Sequence, residues 1–143
     1  MLMASVRFAE FNGPLLVVPV PSSPGAKRRR GYDAIDQLAR SSAKLLRKDG
    51  VDCRARQVLR HRRPVADQSG LSAVDRWRNL HGALEARERR VLSGRSVLVV
   101  DDILTTGATA SDAVRALTMV GYRPLGIAVI AATARDPGRP RAE

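Results

Sequence analysis

Aromatic side chains are nearly missing from this 143-residue chain: phenylalanine, tryptophan and tyrosine together make up 3% of it. A row of stacked rings for unpaired bases is therefore not expected. Cysteine occurs once, as Cys53. One thiol makes no internal disulfide and no four-cysteine zinc site, and it fits a reducing, cytoplasmic setting. It reads as a small core residue. His61 and His81 lack ligand spacing, so no metal site built on protein ligands is expected. No apolar run approaches the ~20 residues of a membrane span. The opening MLMASVRFAEFNGP has no basic segment leading into a long apolar one, so it does not read as a signal peptide. Acid falls short of base early in the chain. Residues 1–95 hold 20 of the 25 Lys and Arg but 9 of the 14 acids, a net +11, while residues 96–143 are neutral. A basic half fits an anionic ligand, polyphosphate or nucleic acid, and it fits a solvated cationic surface equally well.

What is present has the length of one domain, expected over residues 1–143, with 1–13 as an N-terminal segment and 136–143 as a frayed tail. Such a chain buries roughly two-thirds of its unfolded surface and needs no staples. Leu15 to Val20 is an aliphatic run ending at prolines, a buried strand. PSSPGAKRRRGY follows as a loop with four consecutive cations, Lys27 to Arg30. Asp33 to Arg47 places Ile35, Leu38, Ala39, Leu45 and Leu46 on a helical stripe. Val51 to Leu59 alternates loosely, as a strand would. His61 to Asn79 is polar and basic, a loop leading to a short helix, and Ala83 to Arg90 is charged and helical or looped. A strand begins at Val97. Thr109 or Ser111 can cap the helix that follows, with Gly121 as its stop. Leu125 to Ala132 reads as a last buried strand. Strands alternating with helices predict an α/β domain with a parallel sheet.

The chain is organised around SVLVVDDILTTGAT, residues 96–109. Val97 to Val100 form an aliphatic run, and Asp101 and Asp102 sit where it stops. The carboxyl end of a buried parallel strand is where open α/β sheets bind ligands. The threonine- and glycine-rich loop offers N–H groups and hydroxyls at a helix N-terminus, which suits a phosphate. Acids beside an anion cradle fit a ligand with both hydroxyls and phosphate, such as a sugar phosphate. A purely structural acid pair is costly at a buried strand end unless something pairs with it. A receiver domain, whose acid pair holds Mg²⁺, needs a further phosphorylatable Asp and about a hundred more residues; 41 follow Asp102.

DDILTTGAT is similar to the signature with which type I phosphoribosyltransferases bind 5-phosphoribosyl pyrophosphate (PRPP): two acids, two apolar residues, then Thr-Thr-Gly-x-Thr. PVPSSPGAKRRRGYDAI resembles the segment after the first strand in the ComF branch of that superfamily. QSGLSAVDRWRNLHGAL resembles that branch's loop between the middle strands. The matches run from Pro14 to Arg135. The branch usually has Phe-Asn-Gln where this chain has Tyr32, Asp33 and Ala34. Its N-terminal zinc ribbon and part of its base-binding hood are expected to be absent here.

The resemblance implies a parallel sheet with the ligand at its carboxyl edge. It implies that Asp101 and Asp102 accept hydrogen bonds from the ribose hydroxyls and favour an oxocarbenium-like transition state. It implies that Thr105, Thr106, Gly107, Ala108 and Thr109 wrap the 5′-phosphate. Ser22, Ser23 and Arg30 would face the pyrophosphate, and Gln68, Ser69, Arg76 and Arg78 would belong to a flexible loop that closes over it. Mg²⁺ would arrive with PRPP. The implied activity is phosphoribosyl transfer to a nitrogen nucleophile, a nucleobase or amine, with release of pyrophosphate. The alternative is a non-catalytic adaptor of the same fold, linked to DNA uptake in competent bacteria through a helicase or DNA. Exposed edges left by a missing segment make a homodimer an expected assembly.

Overall fold

Two aliphatic strands lie side by side at the centre of the sheet. β1 (Leu15–Pro19) and β5 (Ser96–Leu104) run parallel, in register from Leu15 opposite Ser96 to Pro19 opposite Val100. The computed structural model describes residues 13–63, 70, 72–87, 94–104 and 106–132, and of Ala73, Arg76, Trp77 and Ala132 the backbone alone. β2 (Cys53–Ala55) pairs with β1, and β6 (Arg123–Ala132) pairs with β5, both parallel, giving the order β2-β1-β5-β6. Side chains alternate across a strand, so this sheet buries two faces. Leu15 and Val17 meet Leu98 and Val100 beneath α2 (Ala34–Lys48), whose Ile35, Ala39 and Ala43 recur every four residues. Leu16 and Val18 meet Val97 and Val99 on the other face, covered by Ala113, Ala116 and Leu117 of α4 (Ala108–Met119). A hairpin of β3 (Leu59–His61) and β4 (Leu84–Ala86) closes that second core through Leu59 and Leu84. The predicted α/β class with a parallel sheet is the one found.

Several local expectations are corrected. PSSPGAKRRRGY is not all loop: Pro24–Arg30 forms α1. Ser23 caps it by accepting the Ala26 N–H at 3.2 Å, Pro24 occupies its first turn, and Gly31 ends it at φ 75°. Its cations crowd the last turn, where the helix dipole favours them. None of its residues is buried, so no apolar period announced it. Val51 to Leu59 splits into β2 and the start of β3, which belong to different sheets. Ala83 to Arg90 contains the strand β4. Leu45 leaves the apolar stripe and is 61% exposed. The short helix expected toward the end of His61 to Asn79 is found as α3 (Ala73–Leu80). β6 is not buried: it is the edge of the sheet, with Leu125 and Ile130 exposed. α4 packs on one side of it, while α2 packs mainly on β1, β2 and β5. The tail 136–143 and residues 1–12 lie outside the described residues.

Among the described residues no helix is long and apolar enough to cross a membrane.

Candidate functional site

β5 carries the two acids past the end of its neighbour. β1 ends at Pro19 opposite Val100, and the Val20 N–H still reaches the Val100 carbonyl at 2.9 Å. Asp101 and Asp102 therefore stand at the carboxyl edge, beside the segment that leaves β1 through Ser22. Alternation puts Asp101 on the face of Val97 and Val99, toward α4, and Asp102 on the α2 face. Asp101 is 8% exposed. Burial raises its pKa from 3.8 to about 6; the hydrogen bond from the Asp102 N–H works against that rise, and the charge of Asp102 adds to it. Asp101 accepts that N–H at 2.9 Å, and Asp102 accepts the Ile103 N–H at 2.8 Å. Each carboxylate thus accepts one N–H of the strand's own backbone.

The turn after β5 brings a helix N-terminus to the same edge. Gly107 is the N-cap of α4 at φ 77°, and no side chain caps the helix there. This corrects the expectation that Thr109 or Ser111 does so: Thr109 is already in the first helical turn, and Ser111 donates its own N–H to the Gly107 carbonyl at 2.8 Å. The Thr106 hydroxyl accepts the Ala108 N–H at 3.3 Å. The left-handed backbone at Gly107 is open to glycine and strained for other residues. The helix N-terminus, with its dipole and free N–H groups, thus opens beside two acids. Thr105 lies outside the described residues.

The segment after β1 is held by Asp33, the N-cap of α2. Its Oδ1 accepts the Ile35 N–H at 3.2 Å, the Asp36 N–H at 3.3 Å and the Ser22 hydroxyl at 2.7 Å. Its Oδ2 pairs with Lys27 Nζ at 2.8 Å and accepts from Gln57 at 3.3 Å. Burial opposes the charge of Asp33, but the bonds from Lys27, Ser22 and the Asp36 N–H outweigh it and hold the pKa below 3.8. Asp33 is thereby the cap of α2. His61 adds a tether, with Nε2 3.1 Å from the Pro21 carbonyl oxygen.

Ser22, Ser23, Asp101, Asp102, Thr106, Gly107, Ala108 and Thr109 thus gather along the carboxyl edge. Arg30 sits at the far end of α1 and Arg78 on α3; both are exposed, and no contact among the described residues joins either to the acids. Gln68, Ser69 and the Arg76 side chain lie outside the described residues. The sequence reading missed Asp112, which is 2% exposed on α4. It accepts the Gly82 and Leu84 N–H groups at 2.7 and 2.8 Å and the Arg115 guanidinium at 2.7 Å, pinning α4 to the hairpin. Its signal was one acid in an alanine-rich helical stretch, ATASDAVRALTM.

This architecture, with acids at a strand end and a helix N-terminus opening beside them, is that of an α/β domain with its candidate site at the carboxyl edge of a parallel sheet. Residues 34–143 match the family model of the phosphoribosyl transferase domain, and the chain belongs to that family. It is similar to the adenine phosphoribosyltransferase of Rhodococcus opacus (strain B4), 50% identical over 50 residues, which are 35% of this chain and 28% of that protein. It is also similar to the adenine phosphoribosyltransferase of Kineococcus radiotolerans, 44% identical over 59 residues, 41% of this chain and 32% of that one. The matched stretch spans less than a third of each of these relatives.

Proposed function

We propose that the protein is a ComF-like phosphoribosyltransferase that binds PRPP with Mg²⁺. The observation that carries this reading is the juxtaposition of the Asp101–Asp102 pair with the left-handed Gly107 turn. One would accept hydroxyl hydrogens and the other would offer N–H groups to a phosphate.

In this reading Asp101 and Asp102 take the ribose hydroxyls. Thr105 to Thr109 surround the 5′-phosphate, with Gly107 allowing the backbone close. Ser22 and Ser23 face the diphosphate, and Arg30 reaches it from α1. The acceptor nitrogen attacks ribose C1, the bond from C1 to the diphosphate oxygen breaks, and pyrophosphate leaves with the electron pair. The acceptor nitrogen gives up its proton. Positive charge builds on the ribose ring as that bond lengthens, and the nearby carboxylates stabilise it. In this reading the segment of Gln68 and Ser69 closes over that ring and excludes water, and Arg76 and Arg78 act from helix α3 rather than from a loop. Among the described residues no three acids, histidines or cysteines are placed to cage a metal. In this reading the ion would be carried in on the diphosphate and would lie beside Asp101 and Asp102. Bound there, Mg²⁺ would neutralise the leaving group.

Release of pyrophosphate from PRPP and Mg²⁺ across a panel of purines, pyrimidines and simple amines tests transfer. Turnover with any acceptor supports the enzyme. PRPP binding with no release across the panel supports the non-catalytic adaptor instead.

A further inference from the structure

His61 belongs neither to the acid pair nor to the phosphate turn. It ends β3, opposite Leu84 of β4. Strand alternation turns it to the side of Leu59, toward the second core, while Arg60 points outward to Glu85. Its Nδ1 is buried and has no partner among the described residues. Among those residues the ring makes one polar contact, from Nε2 to the Pro21 carbonyl oxygen at 3.1 Å. A carbonyl only accepts, so Nε2 carries the proton, and the neutral ring leaves Nδ1 as a bare acceptor. A leucine or phenylalanine would fill that place without stranding a nitrogen. Packing alone therefore does not account for this ring, and its one bond does.

That bond joins the hairpin to the segment that leaves β1. Pro21 has no N–H, it is buried, and its carbonyl takes the His61 proton. One residue on, the Ser22 hydroxyl donates to Asp33 at 2.7 Å. The hairpin is itself fastened, because Asp112 of α4 accepts the Gly82 and Leu84 N–H groups. α4 begins at the Gly107 turn. An unbroken path thus runs from that turn along α4, through Asp112 and Leu84 to His61, and on to Pro21 and Ser22. It is a brace, separate from the sheet, between the two backbone stretches that the PRPP reading gives to the 5′-phosphate and to the diphosphate.

We propose that His61 is a positioning residue for the diphosphate end of PRPP: its Nε2–H fixes the Pro21 carbonyl, and with it Ser22, relative to the Gly107 turn. This rests on the PRPP site proposed above. His61 touches no reacting atom and acts through Pro21. PRPP presents two anionic ends on one ribose, and both must be met at once. A segment held in place before the ligand arrives loses little freedom when it binds. The effect is confined to the diphosphate. Ribose 5-phosphate has the same 2′- and 3′-hydroxyls and 5′-phosphate but no diphosphate, and gains nothing from the brace.

Calorimetry with Mg²⁺ and either PRPP or ribose 5-phosphate tests this on wild type, His61→Asn and His61→Gln. The carboxamide nitrogen of glutamine lies as many bonds from Cβ as Nε2 does and can donate to Pro21. That of asparagine takes the place of Nδ1 and falls short. His61→Asn is expected to bind PRPP about fivefold more weakly, the worth of one hydrogen bond, and ribose 5-phosphate as wild type does. His61→Gln is expected to restore most of the PRPP affinity. Equal PRPP affinity in wild type and His61→Asn overturns the proposal. So does a parallel loss for both ligands, which would make His61 a part of the fold at large, and so does a glutamine variant as weak as the asparagine one. A wild type that binds neither ligand refutes the PRPP site itself, and this proposal with it. Nitrogen-15 NMR of the free protein reads the bond without any ligand. The neutral ring of His61 is expected to be protonated at Nε2, and protonation at Nδ1 overturns the role given to it.

Discussion

Asp101 accepts the backbone N–H of Asp102 at 2.9 Å, so the more buried acid is held by the amide of the less buried one. The pair is locked to the strand end by its own backbone before any ligand arrives. That arrangement holds a charge in a place where charge is disfavoured. It is the kind of local conflict that functional sites retain.

The conflict can be measured as stability. Asp101 has a folded pKa of about 6 against an ordinary 3.8. The folded protein therefore binds more protons than the unfolded chain between those values, and this group's contribution falls as pH rises from 4 to 6. Asp101→Asn removes the penalty. Urea unfolding at pH 8 is expected to show a gain of about 3 kcal/mol, on the linkage value of a two-unit shift, and little gain at pH 4. No gain at pH 8 would contradict the burial of the charged acid.

Gly107→Ala tests the turn. An added Cβ would meet only Leu104 Cδ1 at 4.0 Å, so space is available and the cost is conformational. A residue forced to φ 77° is expected to lose about 1–2 kcal/mol of stability. In the proposed reaction it also raises the KM for PRPP, because the N–H groups of the turn are re-aimed. Wild-type stability and KM together would show that the turn has no special backbone demand.

Asp33 joins the cap of α2 to Ser22 and Lys27. Asp33→Ala is expected to cost about 1 kcal/mol from the lost cap. Asp33→Asn keeps a capping oxygen and is expected to cost less. Asp33→Ala frees both Ser22 and Lys27, whereas Asp33→Asn frees Lys27 alone, and each is expected to raise the KM for PRPP, the alanine more. A KM that follows stability alone would reduce Asp33 to a cap.

Asp112 is the structural acid of the fold. Burial opposes its charge, but Arg115 and the N–H groups of Leu84 and Gly82 outweigh it, so its pKa lies below 3.8. Its contribution is therefore full above the unfolded pKa and is lost as pH falls below about 4, through the folded value. Asp112→Ala strands two backbone N–H groups and a guanidinium. A loss of about 3–5 kcal/mol at pH 7 is expected in urea unfolding. A loss under about 1 kcal/mol would mean that the hairpin is not fastened through α4.

The fold was legible where apolar periodicity was strong. Leu15 to Pro19, Val97 to Val100 and the helix starting at Ala34 all bury regular faces. α1 was hidden because it buries nothing and is defined by its caps, Ser23 and Gly31. β4 was hidden because three residues, Leu84 to Ala86, are too few to show a period. The edge position of β6 depends on what lies beside it, which no local pattern states. At the candidate site, the acids and the glycine turn could be read from DDILTTGAT. The Asp33 and Asp112 networks could not, since each joins residues distant in sequence, such as Ser22 with Asp33 and Gly82 with Asp112.

Isothermal calorimetry of PRPP with Mg²⁺ tests the central claim most directly, run on the wild type and on Asp101→Asn with Asp102→Asn at pH 8. The prediction is one saturable binding event in the wild type and none in the double variant, with the variant still folded. Equal affinity in the two proteins, or no heat from a folded wild type, would contradict the assignment of the acid pair.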